Sequence, residues 1–192
     1  MGIIKKYIKK IILLKNESSR FFYKGKIEIG EKTKFYQKLK LYDISGDIKI
    51  GKNCFFGYEF GGGFRKGEIE IQTRDLNAKI EIGDNVYTNN NLFICCRKSV
   101  KIGNKTLIGK DVVIMDHNGH GISPNRRYTP GTAKEIEIKE NVWLGNNVVI
   151  LPGTIIGKNS IVGANSVVKG VFPENVVIQG NPAKIMKRIE EI

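Results

Sequence analysis

Three cysteines, five prolines, two histidines and one tryptophan are all that this chain of 192 residues holds of those types. Each shortage excludes something. Cys54, Cys95 and Cys96 are too few for a disulfide scaffold, and their spacing fits no Cys-x-x-Cys or zinc-ribbon pattern. They read as reduced, mostly buried thiols of a cytosolic protein. No apolar run reaches the roughly 18–20 residues of a transmembrane helix. Ile11–Leu14, the longest such run near the start, is also far too short for the core of a signal peptide. Acidic residues are few, 19 against 32 Lys+Arg, which leaves a net charge of +13. The excess is local: residues 1–40 hold 12 basic and 3 acidic side chains. At 41% hydrophobic residues the chain is too apolar to stay disordered, and its length suits one domain with a short appendage.

What the chain has in quantity is a period of six. Ile138, Leu144, Ile150, Ile156, Val162 and Val168 follow one another at that spacing, as "LGNNVV", "ILPGTI", "IGKNSI" and "VGANSV". Further copies start at Ile29, Ile50, Ile82, Ile102 and Ile108. Position one is aliphatic and points inward. Position two is usually glycine, read as a sharp bend where a Cβ is unwelcome. Positions three and four are polar turn residues, often Asn or Asp, which tolerate left-handed backbone. Position five is small or branched and packs inward. Six residues make one short strand and a corner. Three such units close a coil, and coils stack into a parallel β-solenoid with ladders of Ile and Val. About 18 residues per coil predicts some seven or eight coils.

Two segments interrupt the repeat. "FFGYEFGGGFRKGEIEI" is expected to bulge from an early coil, and residues 115–135 break the pattern completely. An irregular insertion of that length in a compact domain is usually functional. The ends read as helical. Ile3, Ile4, Tyr7, Ile8, Ile11 and Ile12 form an apolar stripe with Lys5, Lys6, Lys9 and Lys10 off it, so residues 1–20 form a basic amphipathic cap. Asn181 and Pro182 look like the start of a C-terminal helix over 181–192. The solenoid proper is expected over 21–180.

Both histidines, His117 and His120, lie in the 115–135 insertion, in "MDHNGHGI". His117 reads as a general base, since an imidazole suits deprotonating a hydroxyl near neutral pH. Asp116 adjoins it, but neighbouring side chains often diverge, so the sequence leaves the orienting partner open. Trp143 is expected to face outward, because solenoid cores rarely admit an indole.

The stretch from Ile138 to Ile185, above all "NVWLGNNVVILPG" and "GNPAK", resembles the C-terminal half of the maltose and galactoside O-acetyltransferases and of their bacterial polysaccharide O-acetyltransferase relatives. "MDHNGHGI" is similar to the DH-x-H motif of the polysaccharide-modifying branch, with one extra residue between the histidines. The resemblance implies an all-β fold, a left-handed parallel β-helix with an extruded loop over 115–135. It implies an O-acetyltransferase that moves the acetyl group of acetyl-CoA to a sugar hydroxyl of a cell-surface polysaccharide or its precursor, with His117 as base. Asn89, Asp116 and Trp143 would then face the acceptor. Trp143, Gly145, Asn146, Gly163 and Ala164 would line the coenzyme's arm, and Lys169, Lys184 and Lys187 its phosphates; an N–H near Asn146 would serve the oxyanion. The family often has arginine at the last two positions. Lysine there is a point charge rather than a fork. The resemblance also implies a homotrimer with shared active sites.

Other activities share parts of the pattern. A serine or drug acetyltransferase, or a sugar N-acetyltransferase, belongs to the same class. The γ-class carbonic anhydrases share the solenoid but bind zinc through three histidines from different coils, and this chain has two in one loop; no metal is expected. No nucleic-acid-binding motif accompanies the basic N-terminal segment, so nucleic acid is not an expected partner. The basic helix fits contact with a membrane surface, which would place a cytoplasmic enzyme on the inner face of the membrane.

Overall fold

The computed structural model describes residues 25–190. The chain there is all β apart from a single 3-10 turn at Pro124–Arg126. It climbs in coils of three short strands. The first coil is Ile27–Ile29 (β1), Lys34–Phe35 (β2) and Lys38–Ile44 (β3), and the second Asp47–Ile50 (β4), Phe55–Phe56 (β5) and Glu68–Thr73 (β6). The third is Lys79–Ile82 (β7), Tyr87–Thr88 (β8) and Phe93–Cys96 (β9), and the fourth Ser99–Ile102 (β10), Leu107–Ile108 (β11) and Val113–Met115 (β12). Then come Ile136–Ile138 (β13), Trp143–Leu144 (β14) and Val149–Ile150 (β15), followed by Ile155–Ile156 (β16), Ile161–Val162 (β17) and Val167–Val168 (β18). Val171–Phe172 (β19), Val176–Gly180 (β20) and Ala183–Arg188 (β21) are the last strands among the described residues.

The first strand of every coil pairs in parallel with its counterparts to form sheet A, the second strands form sheet B, and the third sheet C. Sheet A has seven strands, sheet B eight and sheet C six, so six coils close and a seventh begins. The register is fixed residue on residue. Ile50, Ile82, Ile102, Ile138, Ile156 and Phe172 form one inward column on sheet A. All six are buried. Parallel sheets pair strands that are distant in sequence. Here the core is instead built of identical small steps, each coil covering the last.

The hexad roles are visible position by position, with one change of cause. Position four is left-handed: Asn53, Asn85, Asn147 and Asn165 all have φ between 54° and 61°. Asparagine tolerates that region, and its amide then bonds the asparagine of the next coil, as in Asn147 Nδ2 to Asn165 Oδ1 at 3.1 Å. The position-two glycine is not a conformational necessity. Gly103 and Gly109 do not have positive φ. A Cβ on Gly103 would stand 2.5 Å from the main chain of Lys139 and Glu140, and one on Gly109 2.6 Å from that of Gly145 and Asn146. Glycine is there because the next coil's corner passes too close for any side chain.

Two of the expected end structures need comment. The amphipathic segment 1–20 lies outside the described residues. The C-terminal helix is corrected: Ala183–Arg188 is a strand, antiparallel to β20. Sheet B would otherwise end on an edge of unpaired N–H and C=O groups. A helix of ten residues is too short to stand on its own propensity. After Gly180, at φ 112°, the chain reverses and satisfies that edge instead.

Candidate functional site

His117 follows β12, where the chain leaves sheet C before it reaches sheet A. The adjacent side chains converge rather than diverge. His117 Nδ1 lies 3.0 Å from Asp116 Oδ1. Asp116 is fully buried. Its Oδ1 also accepts the Arg97 N–H at 2.8 Å, and its Oδ2 accepts the N–H groups of Lys98 and Ser99 at 2.7 and 2.9 Å. The Cys96 thiol donates to Oδ2 at 3.4 Å. All of these groups donate, so Asp116 serves here only as an acceptor. The proton of the His117–Asp116 contact therefore belongs to Nδ1, which leaves the lone pair on Nε2. Nε2 faces Cys95 Sγ at 3.9 Å.

The insertion is clamped at its base. His117 bridges Ala133, Asn118 N–H donates to Thr132 O at 3.1 Å and Lys134 N–H to Asp116 O at 2.7 Å. Arg97 adds a bond from its guanidinium to Gly131 O at 3.0 Å. These contacts hold His117, only 4% exposed, in one place. His120 is exposed and lies 2.9 Å from Arg127 O, where it shapes the loop. The structure thus corrects the expected role of Asp116. With both oxygens consumed and no exposed surface, it orients His117 and does not meet an acceptor.

A second feature lies on sheet B and the corner that follows it. It is an open groove of about 660 Å³ whose lining includes Tyr36, Phe55, Tyr58, Phe60, Tyr87, Asn89, Trp143 and Asn146. Its floor is a column of position-six residues in direct register, Phe55, Tyr87, Leu107 and Trp143. Trp143 faces outward, 51% exposed. Asn89 stands where the hexad otherwise has glycine, in the same column as Gly109 and Gly145, and projects a side chain into the groove. Of the three consecutive asparagines only Asn89 is so used. Asn90 is fully buried, and Asn91 takes the left-handed corner at φ 63°. The aromatic members Tyr36, Phe55, Tyr58, Phe60 and Tyr87 were not among the expected site residues. Phe55 and Tyr87 were legible as position six of hexads that also yield Trp143.

Gly145, Asn146, Gly163 and Ala164 are stacked on that same corner in consecutive coils. Both glycines are explained by packing: a Cβ would meet Ala164 N at 2.7 Å from Gly145 and Gln179 Cγ at 2.9 Å from Gly163. Asn146 Oδ1 accepts the Lys110 N–H at 2.8 Å, and the Asn146 N–H donates to no group among the described residues. Lys184 pairs in register with Gln179 on the edge of sheet B, and Lys187 with Val177. Lys169 lies elsewhere, at the corner between sheets C and A. All three lysines are exposed. The base and the groove are likewise apart: no groove-lining residue comes from the corner that holds His117.

Cys54 and Cys96 offer no nucleophile. Burial pushes the Cys96 thiol far above its ordinary range, with the neighbouring Asp116 charge adding to the effect, and burial raises Cys54 as well. A thiol that keeps its proton does not attack a thioester.

A three-faced solenoid of hexads is the fold expected of the hexapeptide-repeat transferases. The family model described as "Bacterial transferase hexapeptide (six repeats)" matches residues 135–170. The Escherichia coli K12 protein described as "Putative lipopolysaccharide biosynthesis O-acetyl transferase WbbJ" is 47% identical over 168 residues, 80% of this chain and 81% of that protein. The galactoside O-acetyltransferase of Lactococcus lactis is 35% identical over 148 residues, 74% of this chain and 64% of that one. Among solved structures, a maltose O-acetyltransferase from Clostridium difficile is 27% identical with a TM-score of 0.56, covering 100% of this chain and 90% of that one. The chain belongs to the hexapeptide-repeat acetyltransferase family, and it is an acyltransferase.

Proposed function

We propose that this protein is an acetyl-CoA-dependent O-acetyltransferase whose acceptor is a sugar hydroxyl of a cell-surface polysaccharide or its precursor. One observation carries the reading: His117 Nδ1 lies 3.0 Å from the buried Asp116 carboxylate, a pairing that favours Nε2 as the basic nitrogen. Nε2 takes the proton of the acceptor hydroxyl as its oxygen attacks the thioester carbonyl, and Asp116 stabilises the resulting imidazolium. The acetyl group passes directly to the sugar oxygen, and the sulfur leaves with the coenzyme, taking back a proton. The Asn146 N–H on the groove wall is a donor for the developing oxyanion. Acetyl-CoA is supported by the named activities of the relatives. Lys184 and Lys187 form no ion pair among the described residues and stand near the end of the corner column, where phosphates would need them. Lys169 is a phosphate contact only from another face.

The separation of His117 from the groove supports a homotrimer, in which the base of one copy meets the groove of the next. The coil is left-handed in this reading, as in the family. We place the enzyme in the cytoplasm on the inner face of the membrane, held by residues 1–20. Flotation with anionic liposomes tests that placement: the full chain should float and a chain starting at residue 21 should not, and equal flotation rejects it.

The activity is tested by coenzyme A release from acetyl-CoA across neutral sugars, amino sugars, nucleotide sugars and serine. Release with hydroxyl-bearing sugars is expected. Release with serine or amino sugars alone would overturn the O-acetyl assignment.

A further inference from the structure

The groove is longer than the reaction requires. Its floor runs over four stacked strands, from Trp143 and Leu107 through Tyr87 to Phe55. At roughly 4.8 Å per strand that column spans about 14 Å, more than one sugar ring covers. Its volume of about 660 Å³ falls within the range of binding sites for ligands of several rings.

The far end of the groove carries an aromatic cluster that the fold itself does not use. Tyr36 stacks on Phe55 at a centroid distance of 6.1 Å, and Phe55 lies 5.2 Å from Tyr87. Beside them Tyr58 and Phe60 form an edge-to-face pair at 5.8 Å. Phe60 is 84% exposed and Tyr58 more than half exposed. A mobile loop would explain such exposure, but this loop is pinned. The buried Asn90 accepts the Tyr58 N–H at 2.8 Å and donates to Tyr58 O and Gly62 O at 3.0 and 3.3 Å. Gln37, also buried, donates to Phe64 O at 3.1 Å and accepts the Asn91 N–H at 2.8 Å. Buried amides therefore hold two apolar rings in water. Fixed, exposed aromatics at the mouth of a groove mark a binding surface.

The charge of the lining narrows the ligand. Among the described residues, Glu59 is the one carboxylate that lines the groove, and no Lys or Arg lines it. Phosphate, sialic acid and uronic acid would be repelled by Glu59 on the lining, and Lys34, whose Nζ stands 6.0 Å over the Phe55 ring of the floor, is not itself among the lining residues. Aromatic faces with a few polar groups, here Glu59 and Asn89, suit a neutral ring that offers C–H faces and hydroxyl edges.

We propose that Tyr36, Tyr58 and Phe60 form a stacking subsite for a second ring of a neutral oligosaccharide, whose acetylated ring lies between Asn89 and Trp143. This rests on the sugar O-acetyltransferase reading and sharpens its acceptor. The glycan enters along the early coils, and the lysine-bearing end of the column is left to the donor.

The test measures kcat/KM for coenzyme A release with the full chain. Acceptors are mono-, di- and trisaccharides of glucose, galactose and N-acetylglucosamine, with sialyllactose and UDP-glucose as anionic probes. The subsite predicts that a neutral trisaccharide exceeds its monosaccharide. In Phe60→Ala the trisaccharide-to-monosaccharide ratio should fall roughly three- to tenfold, the scale of one aromatic contact, and Phe60→Trp should retain it. Phe60 is so exposed that the substitution leaves folding untouched, which a thermal melt verifies. An unchanged ratio, or preference for the anionic probes, overturns the subsite alone. A change in sedimentation of Phe60→Ala also overturns it, since the rings would then cover a second copy. Failure of every sugar to support release overturns the sugar O-acetyltransferase reading and the subsite together.

Discussion

His117→Asn should lower acceptor-dependent acetyl transfer by about 10²- to 10⁴-fold, the usual contribution of a positioned general base, while the protein stays folded. Asparagine is chosen because it fills much of the imidazole volume and can still donate to Asp116 from its amide. It offers no basic nitrogen where Nε2 stands. His117 is nearly buried, and its ring touches Cys95 and Asp116. The larger truncation to alanine would open a void there and mix stability with chemistry. Initial rates of coenzyme A release at saturating acetyl-CoA, beside a thermal melt, separate the two. His120→Asn serves as the internal comparison. That ring is exposed and tied only to a loop carbonyl, so its loss should change the rate by less than about threefold, the scale of one surface hydrogen bond. Transfer at the wild-type rate by His117→Asn would show that the Asp–His pair is structural.

The repeat was legible because burial obeys it. Ile138, Leu144, Ile150, Ile156, Val162 and Val168 were placed inward from spacing alone, and all are buried. Asn147 and Asn165 were read as turn residues and occupy left-handed corners. The cost of a Cβ in the glycine column is legible from the hexad, but the close approach that causes it is not, since for Gly109 it is a contact 36 residues away that leaves no mark on local sequence. The C-terminal strand was missed for a similar reason. "NPAKIMKR" has plausible helix-starting signals, and only the open edge of sheet B overrules them. His117 was found through its motif, but its partner was not. Successive residues of an extended strand point to opposite sides, and Asp116 and His117 escape that rule because the chain leaves sheet C at that point and the insertion closes on itself through Ala133. The aromatic groove depends on Gln37 and Asn90 reaching more than twenty residues along the chain to pin a loop.

Asp116→Asn should cost more stability than its near-identical shape suggests, and activity besides. Two oxygens of Asp116 serve five donors: three main-chain N–H groups, the Cys96 thiol and the His117 ring. An amide has one oxygen. Whichever way it turns, its NH₂ faces at least two donors. If the oxygen replaces Oδ2, Lys98, Ser99 and Cys96 keep their acceptor while Arg97 N–H and His117 lose theirs. If it replaces Oδ1, the Lys98 and Ser99 N–H groups are stranded. Each buried donor left without a partner costs about 1–3 kcal/mol, so two place the loss at about 2–6 kcal/mol. For a chain of this size that corresponds to a Tm lower by roughly 4–24 °C. The corner between β9 and β10 should be the first part to open, visible as faster amide exchange at Lys98 and Ser99. Transfer per folded molecule should also fall, by about tenfold or more, because nothing then fixes the proton on Nδ1 or stabilises the imidazolium. The pairing of effects is the discriminating feature. His117→Asn loses rate with little change in melting, and Asp116→Asn loses both. An Asp116→Asn protein that melts and turns over like wild type would remove Asp116 from both roles.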